Sequence, residues 1–413
     1  MNSSVRWRLS VMMFLQYMIW GSWYPVLSTY MEGNGFSGVQ IGMIYSLLPV
    51  GCMIAPFAGG QLADRYVSTE KLIAVLHLVG GVILCVTASA SSYANMLPLM
   101  FLWSFAYAPT LALTNSITFH HLPDAENKFG LVRVFGTLGW IAVGLLLTGL
   151  RIMWPEKDGL PGLGGADSLW LGGFISLALG CFCFALPHTP PARTGSSPWA
   201  FLAAFKMLRD PSFAIFIAIA FVVATELMFY YVLTGPFLLT TGISSTNIPA
   251  VMTIAQITEI GTMLALPWLL RHWGIRRTMA LGILAWPIRY AVFAYGEPTW
   301  LIVAALTLHG LCYVCFFVVS FIYVNSVASP DIRASAQAFI TFVTLGAGMY
   351  FGSLFAGFIR DYFTTGGAGL QVVDYTKIFI VPCVLTILCA LIFLLSFKEK
   401  RAALQAHYQG QTS

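Results

Sequence analysis

Stretches of about twenty apolar residues recur along the whole chain, separated by short polar, glycine- or proline-bearing breaks. A helix rises about 1.5 Å per residue, so each stretch matches the ~30 Å hydrocarbon core of a bilayer. The pattern predicts an all-α membrane protein with twelve transmembrane helices over residues 9–31, 41–62, 71–90, 97–119, 130–150, 169–187, 212–235, 249–270, 277–296, 300–324, 334–358 and 376–397. The longest polar connections are 151–168 and 188–211. The second carries Pro190, Pro191, Arg193 and Pro198 and divides the spans into two sets of six. The expected organisation is a six-helix bundle over 1–187, an inter-bundle linker over 188–211, a second six-helix bundle over 212–397 and a tail over 398–413. The halves echo each other weakly: Phe135-Gly136-Thr137-Leu138 in the fifth span against Phe351-Gly352-Ser353-Leu354 in the eleventh. Such an internal repeat suits a transporter whose site lies near the midplane.

Composition agrees with this pattern. Of 413 residues, 58% are hydrophobic and only 9% charged, against about a quarter charged in soluble domains. Mean hydropathy is +0.80. The net charge of +5 is dispersed, which argues against a nucleic-acid partner. All eight cysteines fall in apolar runs, and Cys312-x-x-Cys315 has no second pair or histidine at a zinc-like offset, so no metal or cofactor is expected. Arg6 and Arg8 precede a first apolar run without a small-residue cleavage site, which reads as a retained helix. Most Lys and Arg, among them Arg65, Lys71, Lys128, Arg276, Arg277 and Arg333, fall on one side of the predicted topology. That side is cytoplasmic by the positive-inside rule, and both termini share it.

Ionisable groups inside the spans carry the candidate chemistry. Glu226 in span 7 and Glu259 in span 8 are the acids near helix centres. A carboxylate there is costly unless protonated, hydrated or paired, and so marks a functional site. Gln256 precedes Glu259 by three positions and shares its face. Arg133, Thr137 and Trp140 share a face of span 5, offering donors, a hydroxyl and a stacking surface. Gln16 and Trp20 share a face of span 1, and His309 and Tyr313 a face of span 10. Arg289 reads as a snorkelling or structural charge. No nucleophile–base or metal-ligand constellation appears, so the chain does not read as an enzyme. After span 2, Gly60, Asp64 and Arg65 resemble the Gly-x-x-x-Asp-Arg gating signature of the major facilitator superfamily.

Several longer stretches resemble the bacterial nucleoside:proton symporters of that superfamily. They are Leu15-Gln16-Tyr17-Met18-Ile19-Trp20-Gly21-Ser22-Trp23, Ser104 to Thr110, Arg133-Val134-Phe135-Gly136-Thr137-Leu138-Gly139, Gln256-Ile257-Thr258-Glu259, Phe293 to Pro298 and Ile332 to Gln337. The resemblance implies import of nucleosides with protons by alternating access in a bacterial inner membrane, with a monomer as the default. It implies central-cavity roles for Arg133, Thr137, Gln256 and Glu259, with Trp140 where the family has Phe. Glu259 is the expected proton-coupling acid; Glu226, His309, Tyr313, Gln16 and Trp20 complete the candidate substrate set. Two motifs depart. The family's Glu-Leu-Gln-x-x-Asn is here Glu226-Leu227-Met228-Phe229-Tyr230-Tyr231, and its Tyr-Gly-x-x-Phe-Asp is here His309-Gly310-Leu311-Cys312-Tyr313-Val314. These changes motivate an alternative: a symporter or facilitator for another small polar solute, such as a modified nucleoside, a nucleobase or a sugar-like compound. A receptor that binds without transport is a further alternative.

Overall fold

The computed structural model describes residues 3–55, 66–122, 125–155, 166–191, 200–329, 331–366 and 372–399. They are almost wholly helical. The one sheet among the described residues pairs Thr364–Thr365 antiparallel with Val372–Val373. Nine helices among the described residues are long and apolar enough to cross a membrane. This corrects the expectation of twelve spans in two sets of six. The physical reasons are local. The predicted spans 249–270 and 277–296 form one helical element, Ile248–Tyr295, broken only at Gly274 (φ 72°, ψ 177°). The predicted span 9–31 divides into Ser3–Trp23, with Arg6, Arg8 and Gln16 lowering its hydropathy, and the short Leu27–Gly33. The predicted span 169–187 is a 17-residue helix, Asp167–Cys183. The predicted span 41–62 is described only from Gly38 to Ala55, and that helix is one of the nine.

Two other helices are locally rewound. Thr299–Val327 passes through a turn at Thr307 and Leu308 and a π-helical segment, Tyr313–Val318. Arg333–Tyr362 contains a second π segment, Phe342–Gly348. Such segments add a residue to a helical turn and are common at functional sites.

The chain forms two compact units. The first comprises Met1–Ser196, Tyr230–Gln256 and Ala356–Phe358. In it, Ser3–Trp23 packs along Ala125–Met153, and Thr69–Ala88 along Asp167–Cys183. Gly139 lies so close to the Phe14 carbonyl that a Cβ would collide with it, which sets the first of these contacts at backbone distance. Within the stretch 230–256, residues 245–253 run antiparallel to Ala125–Met153. Arg151 Nη1 donates to the Ser245 carbonyl (2.8 Å), Thr148 Oγ1 accepts from the Ala250 N–H (3.0 Å), and Gly144 faces Thr253 and Pro249. Arg151 also holds Asp167 through two hydrogen bonds of 2.7 and 2.8 Å.

The second unit comprises Ser197–Phe229, Ile257–Phe355 and Ile359–Ser413. Its core is aromatic, with Phe216, Phe229, Trp286, Tyr290 and Phe293 fully buried. Gly310 meets the Thr258 carbonyl, and Gly352 the Thr225 carbonyl.

Candidate functional site

In the first unit, Arg133 is half-buried with its guanidinium 4.0 Å from the Tyr17 ring centroid, a cation–π contact. One turn on, Thr137 is half-buried; a further turn on, Trp140 is buried. Gly136 and Gly139, between them, let Ser3–Trp23 approach closely enough for Tyr17 to reach Arg133 and for Trp20 to meet Trp140. The two indoles meet edge to face at 5.5 Å. Tyr24 lies 5.4 Å from Trp20, and Tyr231 lies 4.9 Å from Tyr24 and 6.4 Å from Trp140. Trp20, Tyr24, Trp140 and Tyr231 thus form one continuous aromatic surface.

Among the buried polar atoms of this unit without a hydrogen-bond partner in the protein are the Trp20 indole N–H and the Gln256 Oε1. One is a donor and the other an acceptor. The register set by Ser245, Ala250 and Thr253 brings Gln256 to the level of Trp140.

Gln16 differs from its neighbour Trp20. It is fully buried, and its amide is committed at both ends. Its Nε2 donates to Thr110 Oγ1 (2.8 Å), whose own hydroxyl donates to the Tyr107 carbonyl (2.6 Å). Its Oε1 lies 2.7 Å from His77 Nε2, which is therefore the donor. Gln16 is a tie in the core of the first unit.

In the second unit, Glu259 is half-buried, one turn beyond Gln256 on the same helix. Glu226 and His309 are fully buried. Arg289 is fully buried too, which removes the snorkelling reading. Its Nη1 donates to His309 Nδ1 at 3.1 Å, and its guanidinium lies 4.3 Å from the Trp286 ring centroid. Tyr313, half-buried, stacks on the His309 ring at 5.9 Å. The structure therefore brings together Arg133, Thr137, Trp140 and Trp20 in one unit, and His309 and Tyr313 in the other. Gly60, Asp64 and Arg65 lie outside the described residues.

Comparison with known proteins decides the family. The family described as Nucleoside H+ symporter matches residues 1–402. The chain belongs to this family. It is 35% identical to the putative nucleoside transporter YegT of Escherichia coli K12, over 86% of this chain and 84% of that one. It is 30% identical to the xanthosine permease of the same organism, over 96% of each. Its structure resembles the crystal structure of the nucleoside transporter NupG with a TM-score of 0.84 and 28% identity, covering 97% of this chain and all of that one. The protein is thus a multi-pass membrane transporter and not an enzyme.

Sequence reasoning on this symporter missed Tyr17, the pairing of Arg289 with His309, and the aromatic contribution of Tyr231. Tyr17 stood inside a quoted motif, yet nothing along the chain shows that it lies under Arg133, 116 positions away. Arg289 and His309 come from different spans, and only the fold pairs them. Tyr231 was noted for the amide it replaces; its contribution is an aromatic ring. A signal for it was present: Tyr230-Tyr231 is a tyrosine pair in a helix whose other aromatic residues are all Phe.

Proposed function

We propose that this symporter imports nucleosides together with protons by alternating access, as a monomer in a bacterial inner membrane with both termini in the cytoplasm. The observation that carries the substrate class is the aromatic surface of Trp20, Tyr24, Trp140 and Tyr231 beside a buried unpartnered donor and acceptor. A nucleobase has a flat π face and polar edges, which match that combination. Arg133 and Thr137 add donors on the same helix as Trp140.

Glu259 is the coupling acid in this reading. It is a half-buried carboxyl on the helix that carries Gln256, so proton and solute act on adjacent turns. A protonated Glu259 lets the loaded carrier change state without moving an exposed charge through hydrocarbon. Gly60, Asp64 and Arg65 are assigned to gating on their motif alone.

The test is uptake into proteoliposomes under an imposed pH gradient, acid outside. Wild type is expected to accumulate uridine or another nucleoside above equilibrium. Glu259→Gln is expected to lose at least about tenfold of that accumulation, in the range of coupling free energies between sites. Uphill uptake unchanged in Glu259→Gln would overturn its role.

A second reading concerns the solute. Met228 is fully buried, and Tyr231 belongs to the aromatic surface, so neither supplies the amide found there in the family motif. Saturable uptake of a nucleobase or modified nucleoside, with none of uridine, would favour that alternative.

A further inference from the structure

Glu226 lies in the middle of the Pro211–Thr240 helix, fully buried, and neither carboxyl oxygen has a hydrogen-bond partner in the protein. Its main-chain carbonyl is engaged, accepting from the Tyr290 hydroxyl. Next to Tyr290 stands Arg289, bound through Nη1 to His309 Nδ1. A guanidinium cannot accept a hydrogen bond, so Nδ1 is the acceptor and the imidazole proton sits on Nε2. The second unit therefore buries a permanent cation, an imidazole that accepts from it, and an acid that meets neither through a hydrogen bond.

The groups facing Glu226 can be taken element by element. Ile248–Tyr295 contributes Tyr290 and, beside it, Arg289. Thr299–Val327 contributes Cys312 and, on the far side of Arg289, His309. Tyr375–Ser396 contributes Cys383 and Cys389. Arg333–Tyr362 presents the glycines Gly348 and Gly352 to Ala224 and Thr225. Arg289 is the permanent charge in this set. A carboxylate stripped of water needs donors or a cation in contact, whereas a carboxylic acid can stay buried at much smaller cost.

Both π segments adjoin this cluster. Tyr313–Val318 begins at the ring stacked on His309. Phe342–Gly348 ends at Gly348, whose carbonyl accepts from Thr225 Oγ1 at 3.2 Å, one residue before Glu226. A π turn can convert to an α turn by shifting register, which gives a packed helix two discrete arrangements.

We propose that Glu226 is a second proton-carrying site of this symporter. It holds a proton in the packing seen here and releases it when Arg289 leaves His309 to pair with the carboxylate. The step balances: one proton passes from the Glu226 carboxyl to water on the cytoplasmic side, and a carboxylate–guanidinium pair remains. No covalent bond besides O–H breaks. The cluster charge falls from +1 to zero, matching the charge carried away. The proposal rests on the proton-coupled reading above and adds a group to it.

The experiment uses the full-length protein in liposomes. Infrared absorption reports protonated carboxyl groups directly. On a Glu259→Gln background a carboxylic-acid C=O band is expected near neutral pH, and its loss when Glu226→Gln is added. In parallel, Glu226→Gln is expected to lower pH-driven nucleoside accumulation by at least about tenfold and to flatten its pH profile. A band on the Glu259→Gln background that persists when Glu226→Gln is added, or a pH profile of Glu226→Gln that is scaled down without changing shape, would overturn the proposal in favour of a structural role. Should that variant not fold, Glu226→Asp keeps a carboxyl and is expected to shift the midpoint of the pH profile; an unshifted midpoint overturns the proposal. Wild type without proton-driven uptake would sink the coupled reading itself, while the infrared band would still decide on Glu226.

Discussion

Trp140 sits where two demands meet. Its indole packs edge to face on Trp20 and lies near Tyr231, so it anchors the aromatic surface. A ring stacked on a flat solute contributes about 1 kcal/mol beyond the area it buries. Trp140→Ala is therefore expected to raise the KM for nucleoside uptake about tenfold, with Trp140→Phe within about threefold of wild type. Initial uptake rates over a substrate series would check this. The same scale shows what a chain can disclose. Glu226 and Glu259 were legible because an acid inside an apolar run is expensive and therefore conspicuous. Arg289 was equally conspicuous, but its depth and its partner were hidden. His309 lies 20 positions away in another helix, and helical spacing relates only residues three or four apart. The ties of Gln16 were hidden in the same way. Sharing a face with Trp20 was correct, but Thr110 and His77 occupy its amide from elements that sequence spacing does not connect to it.

At the scale of elements, hydrophobic runs located most helices well. The pattern failed where the backbone departs without changing the run. A π turn leaves an apolar stretch apolar, so Tyr313–Val318 and Phe342–Gly348 left no trace in the pattern. The polar cluster Arg271, His272, Arg276 and Arg277 reads as a loop, yet the helix continues on either side of a single glycine. One helix start, by contrast, is written in ordinary chemistry. Asp374 caps Tyr375–Ser396 by accepting from the Lys377 N–H at 3.0 Å, and its carboxylate also meets Lys377 Nζ at 2.9 Å. The Lys377 contacts hold the Asp374 carboxyl below the usual aspartate range. A carboxyl lowered on folding stabilises the fold above its unfolded pKa and loses that contribution as pH falls through its folded one. Asp374→Ala is thus expected to cost about 1 kcal/mol at neutral pH, chiefly through the lost cap, since the exposed ion pair adds little. The gap to wild type should narrow on acidification, measured as thermal unfolding in detergent at several pH values.

At the scale of the molecule, the first unit is not one continuous stretch of chain. It recruits 230–256, held by Arg151, Thr148 and Gly144, and so takes in Tyr231 and Gln256. That recruitment completes the aromatic surface, and it was invisible in a reading that cut the chain near 188–211. Charge patterning and apolar runs report which residues lie in a membrane; they are silent on which helix ends associate. The single-glycine break at Gly274 has a consequence for how the gene can drift. Across an ordinary loop, an added or lost codon is absorbed as slack. Here each residue gained or lost turns the following helix by about 100° about its axis. Trp286, Arg289 and Tyr290 all lie on that helix, so a one-residue insertion between Arg271 and Arg277 would swing all three out of the second unit's core. Such insertions are expected to abolish folded yield, scored by fluorescence-detected gel filtration of a tagged library. Natural relatives should differ at this joint by substitution and hold its length constant.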